Sequence, residues 1–192
     1  MNLVFIRHGR SDHNEKSYFD TKVDSVSHLT SNGIEQITQS AEEIKELDLN
    51  LKLIYSSPLL RCRQTSEILK KILKIRNEII IDYNLKEMEM GTYEGTPTKD
   101  YPYHYYNHKL AHTYKGETLD DVEHRMRYFI YFLKENSIVV THQAPIKSIS
   151  KYIIGEDIEV GCGEYIVMRD WKLIEPQIDL NWETYKRISK QV

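Results

Sequence analysis

Short, mostly apolar runs alternate along the chain with longer segments in which apolar residues recur every three or four positions. Four runs have the pattern of β-strands, and the first of them indicates a buried strand: Leu3 to Ile6, Lys52 to Tyr55, Ile79 to Ile81 and Ile138 to Thr141. The segments between them have the spacing of amphipathic helices. This alternation predicts an α/β fold, with a mostly parallel sheet that is covered by helices on both faces.

Local signals predict where four of these helices begin. Thr30 is the expected N-cap of the first helix, and Ser56-Ser57-Pro58 predicts a cap with proline in the first turn of the second. Thr118 to Asp121 has the form of a capping box for the third helix, and Ala144-Pro145 opens the fourth. The buried stripe of the first helix is predicted to comprise Ile34, Ile37, Ala41, Ile44 and Leu47.

Two late strands are predicted over Tyr165 to Met168 and Lys172 to Ile174, joined by a turn at Asp170-Trp171. An antiparallel strand is expected in this part of the sheet. The chain shows no internal repeat and no low-complexity linker. We therefore predict one domain over residues 1-192, with segment 96-116 as a lid.

Composition and charge restrict the classes of partner. The net charge of -3 argues against a broad nucleic-acid surface. The two cysteines, Cys62 and Cys162, are too few for a disulfide framework and lack the spacing of metal ligands. No apolar run approaches the roughly 20 residues that span a bilayer, and Arg7 interrupts the N-terminal apolar stretch. We expect a cytoplasmic protein that binds neither nucleic acid nor membrane.

Candidate chemistry lies where the predicted strands end. Arg7 and His8 follow the first strand, Arg61 lies shortly after the second, and His142 follows the fourth. A lone Arg-His pair often does no more than cap a strand at the surface. However, the carboxyl ends of parallel strands share one edge of a sheet, so these four side chains are expected to meet. Together with nearby helix N-termini they predict a pocket for an anion, most naturally phosphate.

Several motifs in the correct order, between residue 3 and about residue 150, resemble the histidine phosphatase superfamily, which includes the cofactor-dependent phosphoglycerate mutases. Arg7-His8-Gly9-Arg10-Ser11 with Asn14 resembles its Arg-His-Gly-x-Ser/Thr signature and downstream Asn. Ser56 to Thr65 resembles its Ser-Ser-Pro-Leu-x-Arg-Ala-x-Gln-Thr segment. Further matching blocks are Leu29 to Gly33, Leu85 to Gly91, Glu94-Gly95, Gly116 to Thr118 and Val140 to His142.

The resemblance implies a three-layer α/β/α fold of the phosphoglycerate mutase type and a metal-independent phosphomonoester hydrolase. It makes His8 the nucleophile, which takes the phosphoryl group as a phosphohistidine. Arg7, Arg61 and His142 would hold the phosphoryl oxygens, and Asn14 would add a phosphate contact. Cationic groups of this kind suit phosphoryl transfer, because its transition state spreads negative charge over three oxygens. No metal and no other cofactor is expected.

The resemblance also assigns the proton donor to the leaving oxygen. Glu87 occupies the position of the acid in the family motif, and Glu89 is the alternative acid. The chain departs from the usual pattern at Arg10 and at Gln143-Ala144-Pro145. Neither departure removes a catalytic group, but because of both the resemblance does not indicate the substrate or the local hydrogen bonding.

Residues 101-114 are rich in tyrosine and histidine. His104, His108 and His112 are spaced four apart, so on a helix they would share a face that could bind a metal. No cysteine or carboxylate completes such a set, and exposed histidine faces are commoner. We expect instead that the segment covers the phosphate pocket and recognises a sugar, nucleoside or aryl leaving group.

Two other functions stay open beside hydrolysis. The first is a phosphotransferase of the phosphoglycerate mutase type, which is less favoured because such mutases generally have a larger C-terminal portion. The second is a non-catalytic protein that binds a phosphorylated ligand, which would need neither a nucleophile nor an acid. In each case the expected partner is a small phosphorylated molecule. A homodimer is a possible assembly of the chain.

Overall fold

A computed structural model of the protein describes residues 1–101, 110–170 and 172–176. Within them, six strands form one sheet. The strands are β1 (Asn2–Arg7), β2 (Leu53–Ser56), β3 (Ile79–Ile81), β4 (Ser137–Thr141), β5 (Tyr165–Arg169) and β6 (Lys172–Pro176). Their order across the sheet is β3-β2-β4-β1-β5-β6.

The first four strands of that order run parallel, whereas β5 is antiparallel to β1 and β6 is antiparallel to β5. The carboxyl ends of β1, β2, β3 and β4 therefore lie along one edge. Arg7 pairs with Thr141 at the last register position of β1 and β4. The residues that follow these two strands consequently emerge side by side.

Six α-helices connect or flank the strands in the described part of the chain. They are α1 (Asp12–Lys16), α2 (Ser31–Glu46), α3 (Leu60–Leu73), α4 (Leu110–Thr113), α5 (Leu119–Tyr131) and α6 (Gln143–Ile154). Single 3-10 turns lie at Tyr83–Leu85, Gly91–Tyr93 and Thr98–Asp100. Apolar residues of α2 and α3 share one core cluster, and those of α5 and α6 share another. The predicted α/β class and its three-layer arrangement are confirmed.

The alternation of side chains along β1 explains why both faces carry helices. Leu3 and Phe5 belong to the cluster with α5 and α6, whereas Val4 and Ile6 belong to the cluster with α2 and α3. All four are at most 1% exposed. A strand buried on both sides has a continuous apolar sequence, which is the pattern that predicted it.

Two of the predicted helix starts are confirmed by their hydrogen bonds. The hydroxyl oxygen of Thr30 accepts a bond from the Gly33 backbone N–H at 3.1 Å. Thr118 and Asp121 form the expected reciprocal capping box at the start of α5. Each of these caps satisfies backbone donors that the first helical turn leaves without a partner.

The expected start of α3 at Pro58 is wrong, because the helix begins at Leu60 after an extended Leu59. Ser57 does not cap the first turn through its hydroxyl, which lies 2.9 Å from His142 Nε2 instead. Ile34, expected in the buried stripe of α2, is 47% exposed. The stripe begins one turn later, at Ile37, because the first turn of α2 packs through the backbone of Gly33.

Part of the tyrosine- and histidine-rich segment lies outside the described residues, including His104 and His108. His112 is described, and its Nε2 lies 2.6 Å from Asp121 Oδ2. The predictions of a lid over 96-116 and of one domain over 1-192 therefore stay predictions. None of the helices in the described part of the chain is long and apolar enough to cross a bilayer.

Candidate active site

His8 lies directly after β1, in a loop that packs unusually closely against α2. A Cβ atom on Gly9 would lie 2.4 Å from the Gly33 carbonyl oxygen, and one on Gly33 would lie 2.0 Å from the Arg10 carbonyl oxygen. The Thr30 backbone N–H also donates to the Arg10 carbonyl at 2.9 Å. The two glycines therefore permit a contact of backbone on backbone, which fixes the loop that carries His8.

The hydrogen bonds of His8 determine which ring nitrogen carries the proton. Its Nδ1 lies 2.8 Å from the Gly9 carbonyl oxygen, which can only accept, so Nδ1 is the donor. Its Nε2 accepts a bond from Arg61 Nε at 3.1 Å. The ring is therefore neutral, with the lone pair of Nε2 turned toward the guanidinium group. Burial and the Arg61 and Arg7 charges hold the pKa of His8 well below its usual range.

Arg61, in the first turn of α3, is 1% exposed and contacts the other pocket residues. Its Nη2 donates to the Asp20 carbonyl at 2.8 Å, and its Nη1 lies 3.4 Å from Asp20 Oδ2. Nη2 also lies 3.4 Å from His142 Nδ1. A buried cation needs such partners, because an isolated charge away from water is very costly.

His142 follows β4 and is completely buried. Its Nδ1 faces Arg61, so the proton is on Nε2, which lies 2.9 Å from Ser57 Oγ. The Cys62 thiol lies 3.4 Å from the same nitrogen. Burial, then the Arg61 charge, holds the pKa of His142 well below its usual range. Burial also raises the pKa of the Cys62 thiol to about 12, so this thiol stays protonated.

Arg7 is held from the α6 side of the pocket. Its Nη1 donates to Gln143 Oε1 at 3.1 Å and to the Val160 carbonyl at 2.9 Å. Its Nε is buried and has no hydrogen-bond partner among the residues that the structure describes. An unsatisfied buried N–H is unfavourable.

Asn14 and His13 form a second wall. Asn14 Oδ1 accepts from the Ser11 backbone N–H at 3.0 Å, and Asn14 Nδ2 lies 3.0 Å from His13 Nε2. The His13 ring centroid is 5.7 Å from that of His8. Burial, followed by the Arg61 and Arg7 charges, lowers the pKa of His13 to about 3. His13 is therefore neutral near pH 7.

The two candidate acids face different places. Glu87 lines the same cleft as Arg7 and Arg61, and its Oε1 accepts from the Ala144 backbone N–H at 3.3 Å. Glu89 forms an ion pair with Lys86 and lines a separate surface pocket. The structure thus brings Glu87, and not Glu89, to the cleft.

The cleft has a volume of about 600 Å³ and mixed charge. Its cations are Arg7, Arg61 and Lys147. Its carboxylates are Asp20, Glu87, Asp157 and Glu159. Lys147 is already paired with Glu159 at 2.8 Å. Arg61 lies 3.4 Å from the Asp20 carboxylate, so Arg7 is the cation of the described lining that forms no ion pair.

No group of three or more histidine, cysteine, aspartate or glutamate side chains in residues 1–101, 110–170 and 172–176 is arranged to hold a metal ion. The histidines of the cleft are instead bound to Arg61, Ser57, Asn14 and the backbone.

The structure brings together Arg7, His8, Asn14, Arg61, Glu87 and His142, the residues named from the sequence. It adds two that the sequence did not indicate. His13 lies inside the opening motif, but at a position where the pattern specifies no residue type. Asp20 lies in a polar segment without periodicity, and only the folded loop brings it to Arg61.

Comparisons with known proteins agree with this geometry. The family model described as "Histidine phosphatase superfamily (branch 1)" matches residues 3–161. A relative from Hydrogenobacter thermophilus, named "Putative phosphoserine phosphatase 2", is 28% identical over 169 residues, which cover 82% of this chain and 80% of that protein. Phosphoglycerate mutase 2 from Saccharomyces cerevisiae is 32% identical over 105 residues, covering 52% of this chain but 33% of that protein.

The fold has counterparts among solved structures. The crystal structure of TTHB049 from Thermus thermophilus aligns with a TM-score of 0.71 at 23% sequence identity. The alignment covers 92% of this chain and 98% of that one. At this identity the likeness concerns the fold.

Proposed function

The chain belongs to the histidine phosphatase superfamily (branch 1), and on that premise we propose that it is a metal-independent phosphomonoester hydrolase that acts through a phosphohistidine. The observation that carries the proposal is the state of His8. Its Nδ1 proton is held by the Gly9 carbonyl, so the lone pair is on Nε2, where it accepts a hydrogen bond from Arg61 Nε. A neutral imidazole with one nitrogen fixed in this way is a competent nucleophile.

In the first step, His8 Nε2 attacks phosphorus, and the bond from phosphorus to the leaving oxygen breaks. Arg7 and Arg61 would hold the phosphoryl oxygens, which displaces the Arg61 bond from Nε2. Glu87 in its protonated form would give its proton to the leaving oxygen, so that an alcohol departs. A phosphate dianion nearby favours the protonated form of this carboxyl group, because like charges repel.

In the second step, water attacks the phosphorus of the phosphohistidine. Glu87, now ionised, would accept one proton from that water as the P–N bond breaks and the electron pair returns to His8 Nε2. The products are inorganic phosphate and the original neutral imidazole. The same carboxyl group thereby acts as acid and then as base.

The charges of the cleft favour hydrolysis over mutase chemistry. A phosphoglycerate carries a carboxylate as well as its phosphate, and that carboxylate needs a cation of its own. Among the described lining residues, Lys147 is the cation beyond the two arginines, and it is paired with Glu159. Asp20 and Asp157 add negative charge. We infer that the substrate is a small phosphomonoester whose leaving group is neutral or cationic.

A substrate panel with EDTA present tests the proposal. It comprises phosphoserine, sugar phosphates, nucleotides, 3-phosphoglycerate with and without bisphosphoglycerate, and p-nitrophenyl phosphate. We expect release of inorganic phosphate and an acid-labile phosphoryl group on the protein. His8→Ala should abolish both while the circular dichroism spectrum is preserved, and the exposed His124→Ala should change neither. Interconversion of phosphoglycerates without phosphate release would instead establish a mutase, and no turnover on any substrate would favour a binding protein.

A further inference from the structure

We propose that His13 is a positioning residue of the phosphate pocket, which acts by fixing the orientation of the Asn14 side-chain amide. The inference rests on the proposed phosphate site, but it concerns a residue for which the sequence motif specifies no type. His13 and Asn14 both line the cleft, and both belong to the short helix α1, which Ser11 caps. Their hydrogen bonds determine how the amide is turned.

The three side chains form a closed ring of hydrogen bonds. Ser11 donates from its backbone N–H and its hydroxyl to Asn14 Oδ1, at 3.0 and 2.9 Å. Asn14 Nδ2 lies 3.0 Å from His13 Nε2, and His13 Nδ1 lies 2.8 Å from Ser11 Oγ. Since an amide nitrogen can only donate, His13 Nε2 must accept. The His13 proton is therefore on Nδ1, where the Ser11 oxygen accepts it.

The ring accounts for one of the two N–H bonds of the Asn14 amide. The other N–H is not part of the ring and forms no hydrogen bond with the residues that the structure describes, so it can donate to a phosphate oxygen. A flipped amide would place its N–H groups against the Ser11 donors and its oxygen against the lone pair of His13. His13 thus supplies the contact to the amide nitrogen, while the Ser11 backbone N–H supplies the contact to the amide oxygen, and the two together fix how the amide is turned.

The ring requires an unprotonated Nε2, and its surroundings favour that state. Burial lowers the pKa of His13, and the guanidinium groups of Arg61 from α3 and Arg7 from β1 lower it further. From the loop side, Ser27 Oγ lies 3.4 Å from Nδ1, and the Tyr18 ring lies edge-on with centroids 6.3 Å apart. These neutral groups do not oppose the effect of the arginines. His13 therefore stays an acceptor for Asn14 near pH 7.

The experiment measures binding of orthovanadate, as a probe of the phosphate pocket, in variants of the full chain. His13→Leu removes the acceptor and should weaken binding about tenfold, the effect of losing one hydrogen bond to a charged ligand. His13→Gln places an amide oxygen near the former Nε2 and should recover most of the binding. His13→Asn reaches only the former Nδ1 and should not. His124→Gln is the control at an exposed histidine of α5 and should bind like the wild type.

The decisive comparison repeats His13→Leu in an Asn14→Ala background. If His13 acts through Asn14, the second substitution should then weaken binding less than about twofold, because the interaction is already lost. An equal loss in both backgrounds, or wild-type binding by His13→Leu alone, would overturn the proposal. Should His13→Leu fail to fold, the Gln and Asn variants decide, since equal binding by these two contradicts the role of the acceptor.

The outcome is separable from that of the proposed hydrolase. A wild-type protein that hydrolyses none of the substrates but shows the expected order of vanadate affinities would refute the hydrolase and support the role of His13. Active wild-type protein with equal vanadate affinities in every His13 variant would support the hydrolase and refute the role of His13.

Discussion

At the scale of single residues, the site is organised by the hydrogen-bond partners of Arg61. This guanidinium donates to His8 Nε2 and to the Asp20 carbonyl, and it lies beside His142 Nδ1. It consequently selects the tautomer of both histidines. Asp20 has a second effect, because its carboxylate faces the cation that a phosphate would bind. The pocket therefore binds a phosphate only in competition with its own carboxylate.

The assignment of the acid is testable at this scale. Glu87→Gln should lower kcat by roughly 10²-fold or more for alkyl phosphates, whose leaving oxygen must be protonated. The loss should be much smaller for p-nitrophenyl phosphate, whose leaving group departs as a stable anion. Glu89→Gln is the matched control and should leave both rates near those of the wild type, because Glu89 pairs with Lys86 outside the cleft. Steady-state kinetics on both substrates measure this, and an equal loss on both would argue against Glu87 as the acid.

At the scale of elements, a loop and its partner segment decide where Asp20 lies. Residues 17–19 pair with 95–98 through Phe19 N–H to the Thr96 carbonyl at 3.0 Å and Thr98 N–H to the Ser17 carbonyl at 2.9 Å. The Glu94 carboxylate accepts from the backbone N–H and hydroxyl of Thr21 at 2.8 and 2.6 Å. The wall of the cleft that contains Asp20 is thus hydrogen-bonded to residues 94–98, where the predicted lid begins.

The contact between the His8 loop and α2 predicts that a larger residue at position 33 lowers both stability and activity. Gly33→Ala should destabilise the fold by about 2 kcal/mol or more, because the added methyl group meets the Arg10 backbone and cannot move aside. Activity should fall further than the loss of folded protein explains, since the loop that carries His8 must shift. Urea unfolding and kcat measured on the folded fraction test both parts. Glu35→Ala, on the exposed face of α2, is the control, and a Gly33→Ala variant with wild-type kcat would show that the contact does not position His8.

The sequence predicts those parts of the fold that repeat a local pattern. Val4 and Ile6 lie in a continuous apolar run, and Thr30 precedes a periodic helix, so the strand and the cap were both predictable. The role of Ser57 was not predictable, because its hydroxyl could either cap α3 or bond to His142. Only the folded protein places His142 Nε2 within 2.9 Å of that hydroxyl. The same reason applies to Asp20, whose position depends on pairing with a segment far along the chain.

At the scale of the whole molecule, the chain concentrates cations and neutral histidines at one edge of its sheet. Arg7 and Arg61 lie near His8, His13 and His142, and each of these three histidines has a lowered pKa. The arrangement suits a dianion, which would relieve the repulsion between the two arginines. Because the pKa of each of these three histidines is lowered, the folded protein keeps them unprotonated at pH values at which the unfolded chain would protonate them.

This difference in protonation predicts how stability depends on pH. A histidine whose pKa is lowered on folding contributes stability that is fully present above its unfolded pKa, about 6.5, and is lost as the pH falls toward its folded pKa. For His13 that window extends down to a pKa of about 3. Each such histidine should contribute a slope of up to roughly 1.4 kcal/mol per pH unit below about pH 6.5, so the loss given by three together should be steeper than the loss from His13 alone. Asp121, whose pKa is lowered to about 2, adds its own loss only at more acidic pH.

Urea unfolding at a series of pH values between about 7.5 and about 5 measures the slope. His13→Gln removes one of the three groups and should reduce the slope by about a third, whereas His124→Gln, at an exposed position, should leave it unchanged. Saturating inorganic phosphate should offset part of the loss, because a bound dianion favours the protonated histidines as well as the arginines. Stability that is independent of pH across this range would mean that the histidines are not held neutral, and the nucleophilic state assigned to His8 would then lose its electrostatic basis.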